Sequence, residues 1–182
     1  MRHTDEERKL LLSAAREVIT AATESRTPRL PDPPPRLLEP GGAFVTLHKE
    51  GTLRGCIGHI IADRPLWEVV QDMAYESAFR DPRFPPVTRP EVPLLDIEIS
   101  ILSPLFPIAP EEVEVGTHGL LIRKGWQSGL LLPQVPVEQG WERETFLAHT
   151  CLKAGLPPDA WKAPDAQLFG FTAEVFGERD YE

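Results

Sequence analysis

The sequence has only two cysteines, Cys56 and Cys151, among its 182 residues. Two thiols so far apart are too few for a disulfide framework or for a zinc site built from cysteines. No apolar run approaches the ~18 residues that a membrane span needs. The first eight residues also lack the apolar segment of a signal peptide. We therefore expect a cytoplasmic protein with reduced thiols and no membrane element.

Basic residues are scarce as well: 19 Lys and Arg stand against 28 Asp and Glu, for a net charge of -9. Because phosphate binding needs clustered Lys and Arg, this balance argues against nucleic acid as a partner. The 20 prolines are about twice the average usage of ~5% and predict short elements, with residues 26–35 as an extended connector. The length and the 41% hydrophobic content predict a single domain over residues 1–182.

Hydrophobic periodicity predicts three helices and several short strands. Thr4 and Glu7 form a capping-box pattern that begins a helix over about residues 5–23. A second helix is expected between Pro65 and Asp81, and a third over about residues 141–154. Alternating apolar residues predict strands over residues 44–48, 52–59, 94–102, 119–123, 128–132 and 169–176.

The second half of the chain repeats the element order of the first. A gapless shift of 74 positions places Gly51 on Gly125, Gly55 on Gly129 and Trp67 on Trp141. This agreement predicts an internal duplication, about 42–104 and 116–178, rather than chance identities. We predict an α+β fold with a single curved, mainly antiparallel sheet from two duplicated hairpin-helix-strand units and with helices packed outside. Parallel βαβ winding is the alternative.

Candidate chemistry is concentrated in residues 52–59. Strand alternation predicts that Arg54 and Cys56 share a face, and a nearby guanidinium favours the thiolate. Gly55 and Gly58 would let a ligand or another backbone approach closely. The alternative is a buried structural Cys56 between glycines that serve packing or a bulge.

The run Leu-Arg-Gly-Cys-Ile-Gly at 53–58 resembles the signature of the Alport syndrome, midface hypoplasia and elliptocytosis critical-region (AMMECR) family, whose prokaryotic members are called AmmeMemoRadiSam system protein A. The similarity extends over residues 42–47, 81–84, 97–104, 116–120, 129–135 and 151–156. This resemblance implies the family's fold over nearly the whole chain. It also implies a three-component system with a Memo-like protein and a radical S-adenosylmethionine enzyme. This sequence lacks CxxxCxxC, so an iron-sulfur cluster would belong to the partner, and we expect no cofactor here.

Four further residues are candidates for the same site. His118, within a family-like Gly-Thr-His-Gly run, is either an acid or base or a turn histidine bonded to backbone. Arg83 follows Asp81-Pro82 and would bind an anionic ligand or brace its own loop through Asp81. Glu98 would pair with Arg54, and Gln134 is a polar residue in a stiff apolar setting. None of these residues has metal-ligand spacing.

Two hypotheses of function follow. In the first, the protein is an enzyme or an accessory subunit of a modification system, with Cys56 as nucleophile, Arg54 as its activator and His118 as acid or base. Residues Gly55, Gly58, Arg83, Glu98 and Gln134 would then bind the substrate. In the second, a non-catalytic binding or adaptor protein presents the same groove to a partner.

Overall fold

The computed structural model describes residues 2–182, which form two units: residues 2–102 with Glu174–Glu182, and Ser103–Ala173. The first unit contains helices α1 (Asp5–Thr23) and α2 (Leu66–Phe79). The second contains the short helix α3 (Gln134–Gln139) and helix α4 (Arg143–Lys153). Among these residues, no helix has the length and apolar character needed to cross a membrane.

Helix α1 begins where its capping pattern predicts. The Thr4 side chain accepts a hydrogen bond from the Glu7 amide, and the Glu7 carboxylate accepts one from the Thr4 amide. These two bonds satisfy amides that the first turn of a helix leaves unpaired. The apolar face of α1 is buried, including Leu11, Ala15 and Ile19. The predicted start and end of this helix are therefore confirmed.

In the described part of the chain, residues 2–182, eight strands form two four-stranded sheets. The first sheet has the order β2-β1-β3-β8, and the second has the order β4-β7-β5-β6. The strands are β1 (Gly42–Lys49), β2 (Thr52–His59), β3 (Leu95–Leu102), β4 (Phe106–Pro107), β5 (Gly119–Lys124), β6 (Gln127–Leu131), β7 (Gln167–Phe171) and β8 (Ala173–Gly177). The pairings of β1 with β2 and β3, and of β5 with β6 and β7, are antiparallel. The α+β class and the antiparallel pairing are thus confirmed, whereas the predicted single sheet is corrected to two.

The two sheets separate within residues 169–176, an apolar run whose pattern predicts a single strand. That run is interrupted at Thr172, whose amide and carbonyl both bond to Ser103. The residues before it, β7, pair with β5, and the residues after it, β8, join the first sheet beside β3. A period of two is the same in either sheet, so the pattern alone did not reveal the break.

Each unit has its own buried core. In the first unit, α1 and α2 pack on one face of the sheet, where Val45, Leu47, Ile97 and Ile99 are fully buried. In the second, Leu120, Phe146 and Leu147 form one apolar cluster. The opposite face of the first sheet carries the polar residues of β1 and β3, because strand side chains alternate between faces. This polar face is where the signature cysteine lies.

Candidate functional site

Cys56 lies at one end of a row of three residues that crosses the first sheet, with Thr46 at its centre. The register pairs Cys56 with Thr46 and Thr46 with Glu98, on β2, β1 and β3. The thiol and the Thr46 hydroxyl are 3.2 Å apart, within hydrogen-bond distance for sulfur. Two of the predicted site residues, Cys56 and Glu98, are therefore brought together through Thr46.

The pKa of the Cys56 thiol lies above its ordinary value. Burial is the main cause, since a half-buried site disfavours the thiolate. The hydrogen bond with Thr46 and the charge of Arg83 lower the pKa, but they do not offset burial. At neutral pH the thiol is the favoured form, which is the opposite of what an activated nucleophile requires.

The backbone of Cys56 is held by the loop that follows α2. The Cys56 amide donates to the Asp81 carboxylate (3.0 Å), and its carbonyl accepts from the Arg83 guanidinium (3.3 Å). The same guanidinium donates twice to Asp81, at 3.0 and 2.8 Å. β2 is an edge strand, so this carboxylate and guanidinium occupy backbone groups that another strand would otherwise pair with.

Asp81 is the buried anion of this arrangement, with a side chain only 1% exposed. Its hydrogen bonds from Arg83 hold the pKa of the Asp81 carboxyl far below its usual range, although burial acts in the opposite direction. Of the two roles considered for Arg83, bracing its own loop is the one seen. Its side chain is still 54% exposed, so one side of the guanidinium faces solvent.

Gly55 and Gly58 serve close packing on opposite faces of β2. A Cβ on Gly55 would lie 2.1 Å from the Ser77 carbonyl oxygen of α2. A Cβ on Gly58 would lie 2.4 Å from the Phe44 ring. Both glycines thus let a neighbouring group of the protein approach the strand, which is the packing alternative considered for them.

Arg54 points to a different partner from the one predicted. Its guanidinium donates to Glu91 at 3.0 and 3.3 Å, and Lys49 donates to the same carboxylate at 3.0 Å. Arg54 is the extra residue of a β-bulge, because Leu47 pairs with Gly55 and His48 with Leu53. The bulge interrupts the alternation from which a shared face with Cys56 was predicted. Arg83, rather than Arg54, is the cation that acts on the thiol.

A shallow depression of about 360 Å³ lies on the same polar face, at the hairpin end of the sheet. Glu98 links it to the Cys56 row, and Asp96 pairs with His48 across β3 and β1. Arg179 forms an ion pair with Asp96 at 2.8 Å. The lining residues are His48, Gly51, Asp96, Glu98, Gly177, Arg179 and Asp180.

His118 and Gln134 belong to the second unit. The Nδ1 atom of His118 accepts the Glu114 amide at 3.0 Å, and its ring meets Phe106 edge-on. This geometry is the turn-histidine alternative, since the ring nitrogen is engaged with backbone. Gln134 begins α3, and its Oε1 atom is buried without a hydrogen-bond donor.

Sequence reasoning missed Thr46 and Ser77. The Ser77 hydroxyl bridges β2 and β1, accepting from the Ile57 amide (2.9 Å) and donating to the Val45 carbonyl (2.8 Å). The sequence feature that could have identified Ser77 is its polar side chain within the apolar stripe of α2. Thr46 gave no such signal, because the bulge shifts the hairpin register by one residue. Within residues 2–182, no group of three or more His, Cys, Asp or Glu side chains is placed to bind a metal ion.

This chain is similar to a known protein family and to proteins of Methanopyrus kandleri and Pyrococcus horikoshii. The AMMECR1 family model matches residues 12–176. Protein MK0488 of Methanopyrus kandleri is 44% identical over 191 residues, covering 98% of this chain and 92% of its own length. Protein PH0010 of Pyrococcus horikoshii is 46% identical over 181 residues, covering 93% and 87%. The crystal structure of PH0010, titled as an uncharacterized protein, matches with a TM-score of 0.90 at 45% identity over 96% of this chain and 93% of that one.

Proposed function

Since the chain belongs to the AMMECR1 family, we propose that it works in the cytoplasm as a non-catalytic accessory subunit of a modification system, and that it presents the polar face of its first sheet to a ligand or partner. In this proposal the signature strand is a rigid support. The surface that binds comprises the Cys56 row and the adjoining depression.

The observation that carries this proposal is that the signature's reactive groups are already engaged within the protein. The Cys56 amide and carbonyl bond to Asp81 and Arg83, and its thiol contacts Thr46. Arg54 is bonded to Glu91. A nucleophile would need a free thiolate, whereas burial raises the pKa of this thiol. A support for a binding surface needs the rigidity that these bonds provide.

Alkylation of Cys56 by iodoacetamide as a function of pH tests the assignment. We expect slow labelling at neutral pH and a rate that rises only above the ordinary cysteine value of about 8.5. Arg83→Gln should raise the thiol pKa further, because the positive charge that lowers it is lost. Arg80→Gln is the matched control, since its exposed guanidinium pairs with Glu76 instead. Rapid labelling near pH 6 that depends on Arg83 would favour the enzyme with Cys56 as nucleophile.

The proposed partners are a Memo-like protein and a radical S-adenosylmethionine enzyme, as the family resemblance implies. Co-expression followed by size-exclusion chromatography tests this association directly. We expect this chain to co-elute with at least one of the two proteins. Separate elution of all three, with S-adenosylmethionine and reductant present, would contradict the partner assignment.

A further inference from the structure

The tip of the second hairpin carries the most exposed large apolar side chain among the described residues. Trp126 is 91% exposed, whereas Ile61, the next, is 62% exposed. Lys124 pairs with Gln127, so Gly125 and Trp126 are the two residues of the turn. Gly125 has a φ of 62°, as the first position of a type II′ turn requires. The turn thus holds the indole out into solvent.

The corresponding turn of the first hairpin shows that a tryptophan is not needed to close such a loop. Lys49 pairs with Thr52, and the two turn residues are Glu50 and Gly51. Both have positive φ, 52° and 80°, as in a type I′ turn. A polar residue and a glycine are therefore sufficient at this place. Closing the turn therefore does not explain why a tryptophan occupies position 126.

Residues just after α4 bond to the second hairpin and pack against it, and these contacts restrain its turn. The side-chain amide of Gln127 donates to the carbonyls of Gly155 (2.8 Å) and Ala154 (3.4 Å), just after α4. Gly129 allows the same segment to pack on β6, since its Cβ would lie 2.4 Å from the Ala154 nitrogen. Because these contacts restrain the backbone of the turn, little backbone freedom is lost when its side chain is bound.

Basic residues lie on the elements next to this tip, although the net charge of the protein is negative. Arg123 and Lys124 precede the turn, and Lys153 ends α4, the helix that packs on β6. One carboxylate, Asp165, lies 3.5 Å from the Lys124 ammonium. Arg123, Lys124 and Lys153 therefore lie on the elements that adjoin the turn, and Lys124 is paired with Asp165, in a chain of net charge -9.

We propose that Trp126 is the anchor by which this chain docks on a protein partner, and that the partner offers an apolar cleft rimmed by carboxylates. Tryptophan and arginine are the residues most enriched in the energetic centres of protein interfaces. The indole would fill the cleft, while Arg123, Lys124 and Lys153 would face the acidic rim and accelerate association. The identity of the partner rests on the proposed function, because one of the two proteins named there would supply the cleft.

The test compares variants of the full chain in titrations against the Memo-like protein and the radical enzyme. We expect Trp126→Ser to raise the dissociation constant about thirtyfold, and Trp126→Tyr to retain most of the affinity. Arg123→Glu should slow association and reduce its dependence on salt. Ile61→Ser is the control, because it removes an exposed apolar side chain from the first unit. Unchanged circular dichroism and melting temperature will verify that the variants fold.

Each other result overturns the inference in a distinguishable way. Wild-type protein that binds a partner, together with Trp126→Ser that binds equally well, would remove Trp126 from the interface and leave the proposed function intact. Wild-type protein that binds neither partner would overturn both. Sedimentation with vesicles of phosphatidylcholine and phosphatidylglycerol covers the remaining case. Trp126-dependent binding to these vesicles, with partner binding unaffected by Trp126→Ser, would replace the protein partner by an anionic membrane.

Discussion

At the residue scale, Asp81 joins Cys56 of the signature strand to Arg83 in the loop that follows α2. Its carboxylate accepts hydrogen bonds from the Cys56 amide, the Arg83 amide and the Arg83 guanidinium. Because the side chain is buried, water cannot replace a donor or acceptor that is lost. The position of Arg83, and with it the charge near the Cys56 thiol, therefore depends on this one carboxylate.

Replacing Asp81 by Asn should lower the free energy of unfolding at pH 7 by about 2 kcal/mol, as for a buried bond to a charged group. The pKa of Asp81 is far below its unfolded value, so its contribution is present above about pH 4 and declines as the pH falls further. The difference between the two proteins in urea unfolding should therefore shrink in acid. Glu76→Gln, which breaks an exposed pair with Arg80, should cost less than about 0.5 kcal/mol.

Glu91 provides a second pH-dependent contribution. Hydrogen bonds from Arg54, the Thr88 amide and Lys49 lower the pKa of Glu91 from 4.5 to about 2, against the effect of burial. The stabilisation is complete above about pH 5 and is lost as the pH falls towards 2. Glu91→Gln should cost up to about 3 kcal/mol at pH 7, and the cost should vanish near pH 2. A cost that is the same at both pH values would contradict this assignment.

At the element scale, the contact of α2 with β2 depends on two small groups. Gly55 leaves room for the Ser77 carbonyl, and the Ser77 hydroxyl bridges the two strands of the hairpin. A methyl group on Gly55 would collide with backbone, which cannot rotate away as a side chain can. The helix must then move off the sheet or the strand must bend.

Gly55→Ala should therefore lower the free energy of unfolding by about 3 kcal/mol, at the upper end of the cost of overpacking. Gly51→Ala is the matched control. A Cβ there meets no atom within 4 Å, and only the φ of 80° is unfavourable, at about 1 kcal/mol. Urea denaturation of the two variants measures the difference. Equal costs would show that α2 does not restrict this strand.

The same hairpin shows why the neighbours of Cys56 were not all predictable. Alternation correctly separates the apolar face of β1 from its polar face. The bulge at Arg54 then shifts the pairing by one residue, which places Thr46 rather than Val45 beside Cys56. A bulge leaves no periodic signal of its own in the sequence, so register beyond it has to come from the structure.

At the scale of the whole molecule, the chain leaves the first unit after Leu102 and returns to it at Glu174. The returning segment, Glu174–Glu182, brings two carboxylates to α1. Glu174 bonds to His3 and Arg8, and Glu178 bonds to Arg16 and to the Ile97 amide. The last nine residues thus tie the first helix to the sheet.

Deletion of residues 173–182 should destabilise the first unit and increase hydrogen exchange in α1, because both carboxylates and the edge strand β8 are lost. The double variant Glu174→Gln, Glu178→Gln keeps the strand and separates the two causes. We expect the double variant to show a smaller increase than the deletion. Hydrogen exchange followed by mass spectrometry measures both, and unchanged exchange in the deletion variant would contradict the role of β8.

The sequence by itself determined the long helices, the two hairpins and the family. The start of α1 follows from its capping box, and its extent follows from the helical spacing of its apolar residues. The hairpins follow from their turn residues. The signature and its flanking motifs were enough to indicate the AMMECR family. The common element order of the two halves still stands as a predicted duplication. All of these signals are local or are carried by whole motifs.

Only the tertiary structure decided how these elements combine. It divided the strands between two sheets at Thr172, placed the Arg54 guanidinium on Glu91, and brought Asp81 to the backbone of Cys56. These outcomes depend on pairings between residues that are 25 or more positions apart. A strand pattern with a period of two fits either sheet equally well, and a carboxylate in a loop fits many partners. The choice among them is made by packing, because most buried polar groups find a hydrogen-bond partner within the folded chain.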